Sequence, residues 1–171
     1  MIMTDNTSQQ QPSNFQRINP QDSSFERPEI LAGYPYIYTQ AVVWGEMDAF
    51  NHVNNVVYYR YAESARIEYL RLLNIFNADT IMVLAQSSCQ YLAPVTYPDT
   101  LLIGVRSKSI GNSSLVLEYV YYSTIQQKAV ATAEAVVVRL KSNAEGKAPW
   151  TEQEHQRIFE YDQSVGHTPL A

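Results

Sequence analysis

The stretch Asn54-Asn55-Val56-Val57-Tyr58-Tyr59-Arg60-Tyr61-Ala62-Glu63-Ser64-Ala65-Arg66-Ile67-Glu68-Tyr69-Leu70-Arg71-Leu72-Leu73 decides the fold. Tyr58, Tyr61, Ala62, Ala65, Tyr69, Leu72, Leu73 and then Phe76 recur at spacings of three and four, the period of one long helix. Either Asn54 or Asn55 can cap the exposed amides at its start. Glu63 with Arg66, and Glu68 with Arg71, set opposite charges at helical spacing. Val56, Val57, Tyr59, Ile67, Leu70 and Ile75 add apolar residues outside the main stripe, so most of the circumference is expected to be buried. A helix of that kind is wrapped by something.

Strand material lies on both sides of it. Aromatic and β-branched residues from Tyr36 to Val43 read as a first strand. Four more are expected at about Met82 to Tyr91, Asp99 to Ser109, Ser114 to Ile125 and Ala129 to Lys141, punctuated by Pro94, Pro98 and the Gly111-Asn112 turn. Leu115, Leu117, Tyr119 and Tyr121 alternate with Val116, Glu118, Val120 and Tyr122, so both faces of the sheet are substantially apolar. One face is expected to cover the helix and the other to meet a second subunit or a C-terminal helix. Thr151 followed by Glu154 forms a capping box for a short last helix to about Asp162. The expected class is α+β: a five-stranded antiparallel sheet around a long central helix, with a short C-terminal helix. Residues 1–33, rich in Gln, Asn, Ser and Pro, are expected to be a disordered tail; 34–165 form the domain and 166–171 a frayed end.

At 171 residues and 46% hydrophobic content the chain suits one domain with one core. A net charge of -5 and a pI near 5.1 carry no basic footprint, which argues against nucleic acid or an anionic membrane as partner. Cys89 is alone, and His52, His155 and His167 fall at no zinc spacing, so no disulfide, no metal and no cofactor are expected. No apolar run spans a membrane and no signal-peptide pattern opens the chain, which leads to the expectation of a cytoplasmic protein. Thirteen Tyr against five Phe suit strands and a pocket that is apolar in body but offers hydroxyls.

Between the first strand and the helix lies Trp44-Gly45-Glu46-Met47-Asp48-Ala49-Phe50-Asn51-His52-Val53-Asn54-Asn55, which packs two carboxylates, an imidazole and three carboxamides into one bend. A loop this polar, tied at both ends to rigid elements, is a place for chemistry. The run from Asp48 to Tyr59, continued by Tyr61-Ala62-Glu63-Ser64-Ala65-Arg66, resembles hotdog-fold acyl-CoA thioesterases of the 4-hydroxybenzoyl-CoA thioesterase-like family. Tyr91-Leu92-Ala93-Pro94-Val95, Asp99-Thr100-Leu101, Ile110-Gly111-Asn112-Ser113-Ser114-Leu115 and Ala133-Glu134-Ala135-Val136-Val137-Val138 agree with it. The resemblance implies a hotdog fold and hydrolysis of an acyl-CoA to free acid and CoA. It also implies dimers with a continuous sheet, often paired into tetramers, and active sites between protomers.

The resemblance places the catalytic carboxylate at Asp48, as base or nucleophile, and the amide that polarises the thioester carbonyl at Asn55. Such chemistry needs a carboxylate and an oxyanion donor, and the first amides of a helix have no intrahelical partner. The plain alternatives are a turn-forming Asp and capping Asn residues, and for Asn54 and Asn55 both readings hold together. His52 is a further catalytic candidate, since the segment is also similar to plant acyl-ACP thioesterases with a functional histidine four residues after the Asp. Phe50 and Asn51 depart from that pattern, which favours a supporting role for His52. Glu63 falls where another hotdog branch has its catalytic Glu, but without that branch's His-Gly-Gly it reads as an ion-pair partner of Arg66. Glu46, two residues before Asp48, reads as a solvated loop carboxylate, with orientation of the site as the alternative.

Trp44, Phe50, Val56, Tyr58, Tyr59 and Tyr91 are candidate acyl-pocket walls, and Arg106, Lys108, Ser113 and Ser114 candidate contacts for CoA phosphates. A non-catalytic acyl-CoA or acyl-carrier-protein binding module is the rival reading. A hotdog dehydratase would need Gly-Asp-x-Asn-Pro-x-His, which is absent, and no helix-turn-helix segment points to a transcription factor. Acyl length stays open, because one methylene changes binding by only about 1–3 kcal/mol.

Overall fold

The computed structural model describes residues 18–20, 22, 24–143 and 145–170. A 3-10 turn, Glu29–Leu31, precedes strand β1, Tyr36–Ala41; a second 3-10 turn, Trp44–Glu46, leads to helix α1, Asn55–Leu72. Strands β2, Thr80–Tyr91, β3, Thr100–Ile110, β4, Ser114–Ser123, and β5, Lys128–Lys141, follow, then helix α2, Glu152–Gln163. The sheet is antiparallel throughout in the order β1-β3-β4-β5-β2, so β1 and β2 are its edges. Each expected element is present, with ends moved by a few residues. No helix among the described residues is long and apolar enough to cross a membrane.

Alternation along β4 assigns the two faces of the sheet. Leu115, Leu117, Tyr119 and Tyr121 are buried in the main core with Tyr58, Tyr61, Ala62, Ala65 and Tyr69 of α1. The C-terminal helix shares that face, because Ile158 of α2 belongs to the same cluster. The helix is less enclosed than its composition suggests: Val56 and Tyr59 are exposed along one stripe of α1, beside Arg60 and Glu63. Exposed, too, is much of β2, which pairs only with β5 among the described residues.

The part of the opposite face formed by β1, β3 and β4 is covered by the chain's own N-terminal segment, which corrects the expectation that residues up to 33 form a disordered tail. Leu31 is fully buried with Ile37, Leu102 and Val120, and Phe25, Tyr34 and Ile18 pack around them. Residues 1–17, 21 and 23 of the expected tail lie outside the described residues, but the part from Phe25 onward is ordered against the sheet. Gly104 makes the seat: a Cβ there would stand 2.7 Å from the Tyr34 ring and 2.9 Å from Leu31 Cδ2. Arg106 stacks over Tyr34 at 4.4 Å and donates to the Gly33 carbonyl at 3.3 Å, and the Arg27 guanidinium donates to the Tyr34 carbonyl at 3.0 Å. Composition averaged over the tail hid these few anchors. The C-terminal end is likewise held: Leu170 forms a parallel bridge to Ser109, donating to Lys108 O and accepting from the Ile110 amide, where an unpaired end was expected.

Two buried polar groups fasten α2. Glu154 receives both terminal nitrogens of Arg139, at 2.6 and 2.9 Å, and also the Thr151 amide at 2.8 Å and hydroxyl at 2.9 Å, so the capping box and the ion pair share one carboxylate. Burial pushes that carboxyl up, but the Thr151 hydrogen bonds and the Arg139 charge together hold it below the ordinary glutamate value. Asp162 is fully buried and accepts from the Tyr69 hydroxyl at 2.8 Å and the Ser107 amide at 3.0 Å. Here burial wins and raises the carboxyl, against the opposing hydrogen bonds from Tyr69 and Ser107.

These contacts yield two expectations. Gly104→Ala forces the N-terminal segment off its seat and should lower stability by about 1–3 kcal/mol, read from the urea midpoint. Because folded Asp162 holds its proton more tightly than the unfolded chain, its stabilising contribution is full below the ordinary aspartate value and is lost as pH rises through the raised one. Asp162→Asn should therefore gain stability relative to wild type as pH rises from about 4, levelling off once Asp162 is ionised in both states. A stability difference flat with pH in urea titrations would contradict this.

Candidate active site

The bend between β1 and α1 is a closed turn built by Asp48. Its amide donates to the His52 carbonyl at 2.7 Å, and its carbonyl accepts from the Asn51 amide at 3.0 Å. Asn51 takes φ 61°, a left-handed conformation that Asn tolerates better than most residues. Met47 and Val53 bridge the base of the turn. The Asp48 side chain enters the same turn: Oδ1 accepts from the amides of Phe50 at 2.8 Å and His52 at 3.3 Å. Oδ2 makes no hydrogen bond among the described residues. Asp48 is thus both a turn former and a carboxylate with one oxygen to spare.

The first turn of α1 is capped selectively. Asn54 Oδ1 accepts from the Val56 amide at 3.1 Å, the Asn54 carbonyl accepts from the Val57 amide at 2.9 Å, and the Asn54 amide donates to the Glu46 carbonyl at 2.9 Å. The Asn55 N–H is left without an acceptor among the described residues. It carries the partial positive charge of the helix end. The Tyr91 hydroxyl donates to the Asn55 carbonyl at 2.9 Å, and the Tyr91 ring meets Tyr58 edge-on at 5.1 Å. The Tyr121 hydroxyl in turn donates to the Tyr58 carbonyl at 2.8 Å.

Asp48, His52, Asn55, Tyr58 and Tyr91 line one open cleft of about 480 Å³, completed by Val53 and by Leu92, Ala93 and Pro94 after β2. Burial pushes the Tyr58 hydroxyl up to about 12 and raises that of Tyr91, so both are neutral at physiological pH. The Cys89 thiol, two residues before Tyr91, is also raised by burial, which makes it a poor thiolate nucleophile. No three His, Cys, Asp or Glu side chains gather as a metal site among the described residues.

The other candidates fall elsewhere. Phe50, 79% exposed, and Val56, 63% exposed, do not line the cleft, nor do Trp44 and Tyr59, also exposed. Glu63 is exposed, 3.9 Å from Arg66. Arg106 is bound to Glu118 on the neighbouring strand and Lys108 to Glu134 one strand further on, and Ser113 is buried, its carbonyl accepting from the Arg139 amide. Neither cation is free for a phosphate as it stands. Glu46 is not solvated: its side chain is 15% exposed, with its carboxylate bound to Arg60 and the Tyr61 hydroxyl. Leu92, Ala93 and Pro94 escaped sequence reasoning as cleft walls, although they sit in a segment that carried the family resemblance.

The sequence matches the thioesterase-like superfamily over residues 42–158. The uncharacterized protein YsmA of Bacillus subtilis (strain 168) is 32% identical over 133 residues, which cover 77% of this chain and 90% of that protein. A thioesterase from Thermus thermophilus, solved in complex with coenzyme A and Zn, is similar with a TM-score of 0.66 at 29% identity, over 76% of this chain and 96% of that one. Slr0204, a 1,4-dihydroxy-2-naphthoyl-CoA thioesterase from Synechocystis, is similar with a TM-score of 0.64 at 18% identity, over 72% of this chain and 94% of that one, a likeness of fold alone. The helix wrapped by a five-stranded antiparallel sheet is the hotdog fold of these thioesterases, and the chain belongs to the thioesterase-like superfamily.

Proposed function

We propose that the protein hydrolyses acyl-CoA thioesters, releasing the free acid and CoA. The observation that carries this reading is the pairing, in one cleft, of a carboxylate oxygen and a helix-end N–H that both lack a hydrogen-bond partner among the described residues. The thioester carbonyl oxygen docks on the Asn55 amide, which gains strength as charge develops on that oxygen. Asp48 Oδ2 either takes a proton from an attacking water or attacks the carbonyl carbon itself, giving an anhydride that water then opens. In both routes the C–S bond breaks and CoA leaves as a thiolate, so no strong acid is needed to expel it. The coenzyme A in the Thermus thermophilus relative supports CoA as the carrier.

The active assembly in this proposal is a dimer or tetramer. The edge strand β2, with Ile81 and Leu84 exposed, and the exposed stripe of Val56 and Tyr59 on α1 are surfaces that a second copy would cover. Phe50 and Trp44, exposed in one protomer, would then join the walls of a site lying between two. The protein works in the cytoplasm in this reading.

Asp48→Asn keeps the Oδ1 acceptor of the turn while removing the base or nucleophile. It should fold, bind acyl-CoA and lose about 10³-fold in kcat, measured by thiol release. Wild-type protein that binds acyl-CoA saturably but releases no thiol from any of a panel of acyl chains would favour the binding-module reading. Asn55→Pro is a sharper probe of the oxyanion donor. Proline is favoured at the first helical position, and Asn54, at φ -60° and ψ 138°, already has the extended backbone that precedes proline. The variant should keep wild-type thermal stability and lose about 10²–10³-fold in kcat, whereas Asn55→Ala, which keeps the N–H, should stay within a few-fold.

A further inference from the structure

Glu46 lies outside the cleft and has no part in the chemistry just described, yet it joins the Asp48 turn to the helix that carries the Asn55 amide. The turn is closed on itself by the Asp48 to His52 and Asn51 to Asp48 backbone bonds and by the Met47 to Val53 bridge, so it moves as one small body. Its other ties run away from the helix. The Val53 amide donates to Val95 O at 2.8 Å, and the Tyr97 amide meets Met47 Sδ at 3.4 Å, both fixing the turn to the β2–β3 connection.

Beyond the continuous chain, the place of Val53 in the core shared with α1 and a backbone hydrogen bond of Val43 to the Tyr61 hydroxyl, the polar ties of the turn to α1 among the described residues run through Glu46. The Glu46 carbonyl accepts from the amide of Asn54, the cap, while its carboxylate divides between Arg60 through Oε1 and the Tyr61 hydroxyl through Oε2. One contact is at the helix end and the other in its second turn, so together they set both the distance and the rotation of the turn about that end. The carboxylate is mostly buried although Arg60 is 60% exposed, and burial pushes the Tyr61 hydroxyl up to about 12, which keeps it a donor. Asp48 is two residues beyond this joint and Asn55 one residue beyond the tethered Asn54.

We infer that Glu46 is a positioning residue for the hydrolytic reaction, holding Asp48 at a fixed reach from an acyl carbon seated on the Asn55 amide. The inference rests on the thioesterase reading of the site, but the tether can be tested without it.

Glu46→Ala and Glu46→Gln, in the full chain, are compared by amide hydrogen exchange over peptides spanning residues 44–58 and by thiol release from acyl-CoA. Glu46→Ala should speed exchange at Asn54, Val56 and Val57, whose amides are hydrogen-bonded at the cap, while β4 and α2 keep wild-type protection. It should also lower kcat about 10²-fold with KM within a few-fold, the cost of a misplaced but intact base. Glu46→Gln still accepts from Tyr61 or Arg60 and should recover kcat to within about tenfold of wild type. Unchanged exchange in Glu46→Ala overturns the tether whether or not any thioester is hydrolysed. Wild-type kcat in Glu46→Ala overturns the positioning role. Glu46→Gln as inactive as Asp48→Asn, with normal exchange, also overturns it, since Glu46 would then act in the chemistry directly. A wild-type protein that releases no thiol defeats the thioesterase reading and the positioning role with it, leaving only the tether as a structural fact that exchange decides.

Discussion

The site depends on how the first turn of α1 disposes of backbone N–H groups that a helix cannot satisfy from within. Asn54 takes the Val56 amide with its side chain and the Val57 amide with its carbonyl, and surrenders its own amide to Glu46. That arrangement leaves the Asn55 donor without an acceptor among the described residues, at an otherwise satisfied helix end. Its position is fixed because the helix behind it cannot slide: Tyr58, Tyr61, Ala65 and Tyr69 are locked against the inner face of the sheet. Tyr91, at the end of edge strand β2, reaches back to the Asn55 carbonyl and ties the same turn to the sheet. Cap, core and edge strand therefore act on one peptide unit.

The far end of α1 is held by a different device. Tyr69 reaches Asp162 of α2, which also receives the Ser107 amide of β3, so helix, sheet and C-terminal helix meet at one buried carboxyl. The Arg139–Glu154 pair fastens the start of α2 in the same manner. Buried pairs of this kind add little net stability compared with an apolar core, but breaking one side costs about 3–5 kcal/mol, so they work chiefly as register pins. They serve here because α2 offers few apolar residues to the core, Ile158 being the fully buried one.

What was legible in the sequence followed from periodicity and local chemistry. The three-and-four spacing of α1, the alternation of β4 and the Thr151–Glu154 capping box are each decided within one element, and each is present as read. Asp48, His52, Asn55, Tyr58 and Tyr91 converge on one cleft because the bend, the helix start and the end of β2 are neighbours in this strand order. What was not legible depends on contacts between distant segments. Leu31 lies in a stretch whose average composition suggests disorder, and only the missing side chain of Gly104 reveals its seat. Glu46 looks like any loop carboxylate until Arg60 and Tyr61 are brought over it. Leu170 gains a strand partner only because β1 pairs with Thr100 to Val105 and leaves the later part of β3 open at that edge.

The charge pattern around the sheet bears on how a CoA ester could be held. Arg106 and Lys108 are attractive as phosphate contacts because they sit on one strand near a glycine turn, but β-pairing sets Arg106 opposite Glu118, and Lys108 reaches Glu134 one strand further on. A phosphate bound there would first have to separate an ion pair and then lie against the released carboxylate, in a chain whose net charge is already -5. The cleft itself offers hydroxyls, an amide and apolar walls, which suit an acyl group and its carbonyl rather than a nucleotide. Recognition of the acyl thioester and recognition of the CoA phosphates are thus separate problems for this fold. In the proposed reaction the carbonyl oxygen is met by one protomer's own amide, at the start of α1. Recognition of the phosphates would need cations, and no Lys or Arg lines the cleft, so under the proposed function a second copy is the place to look for them.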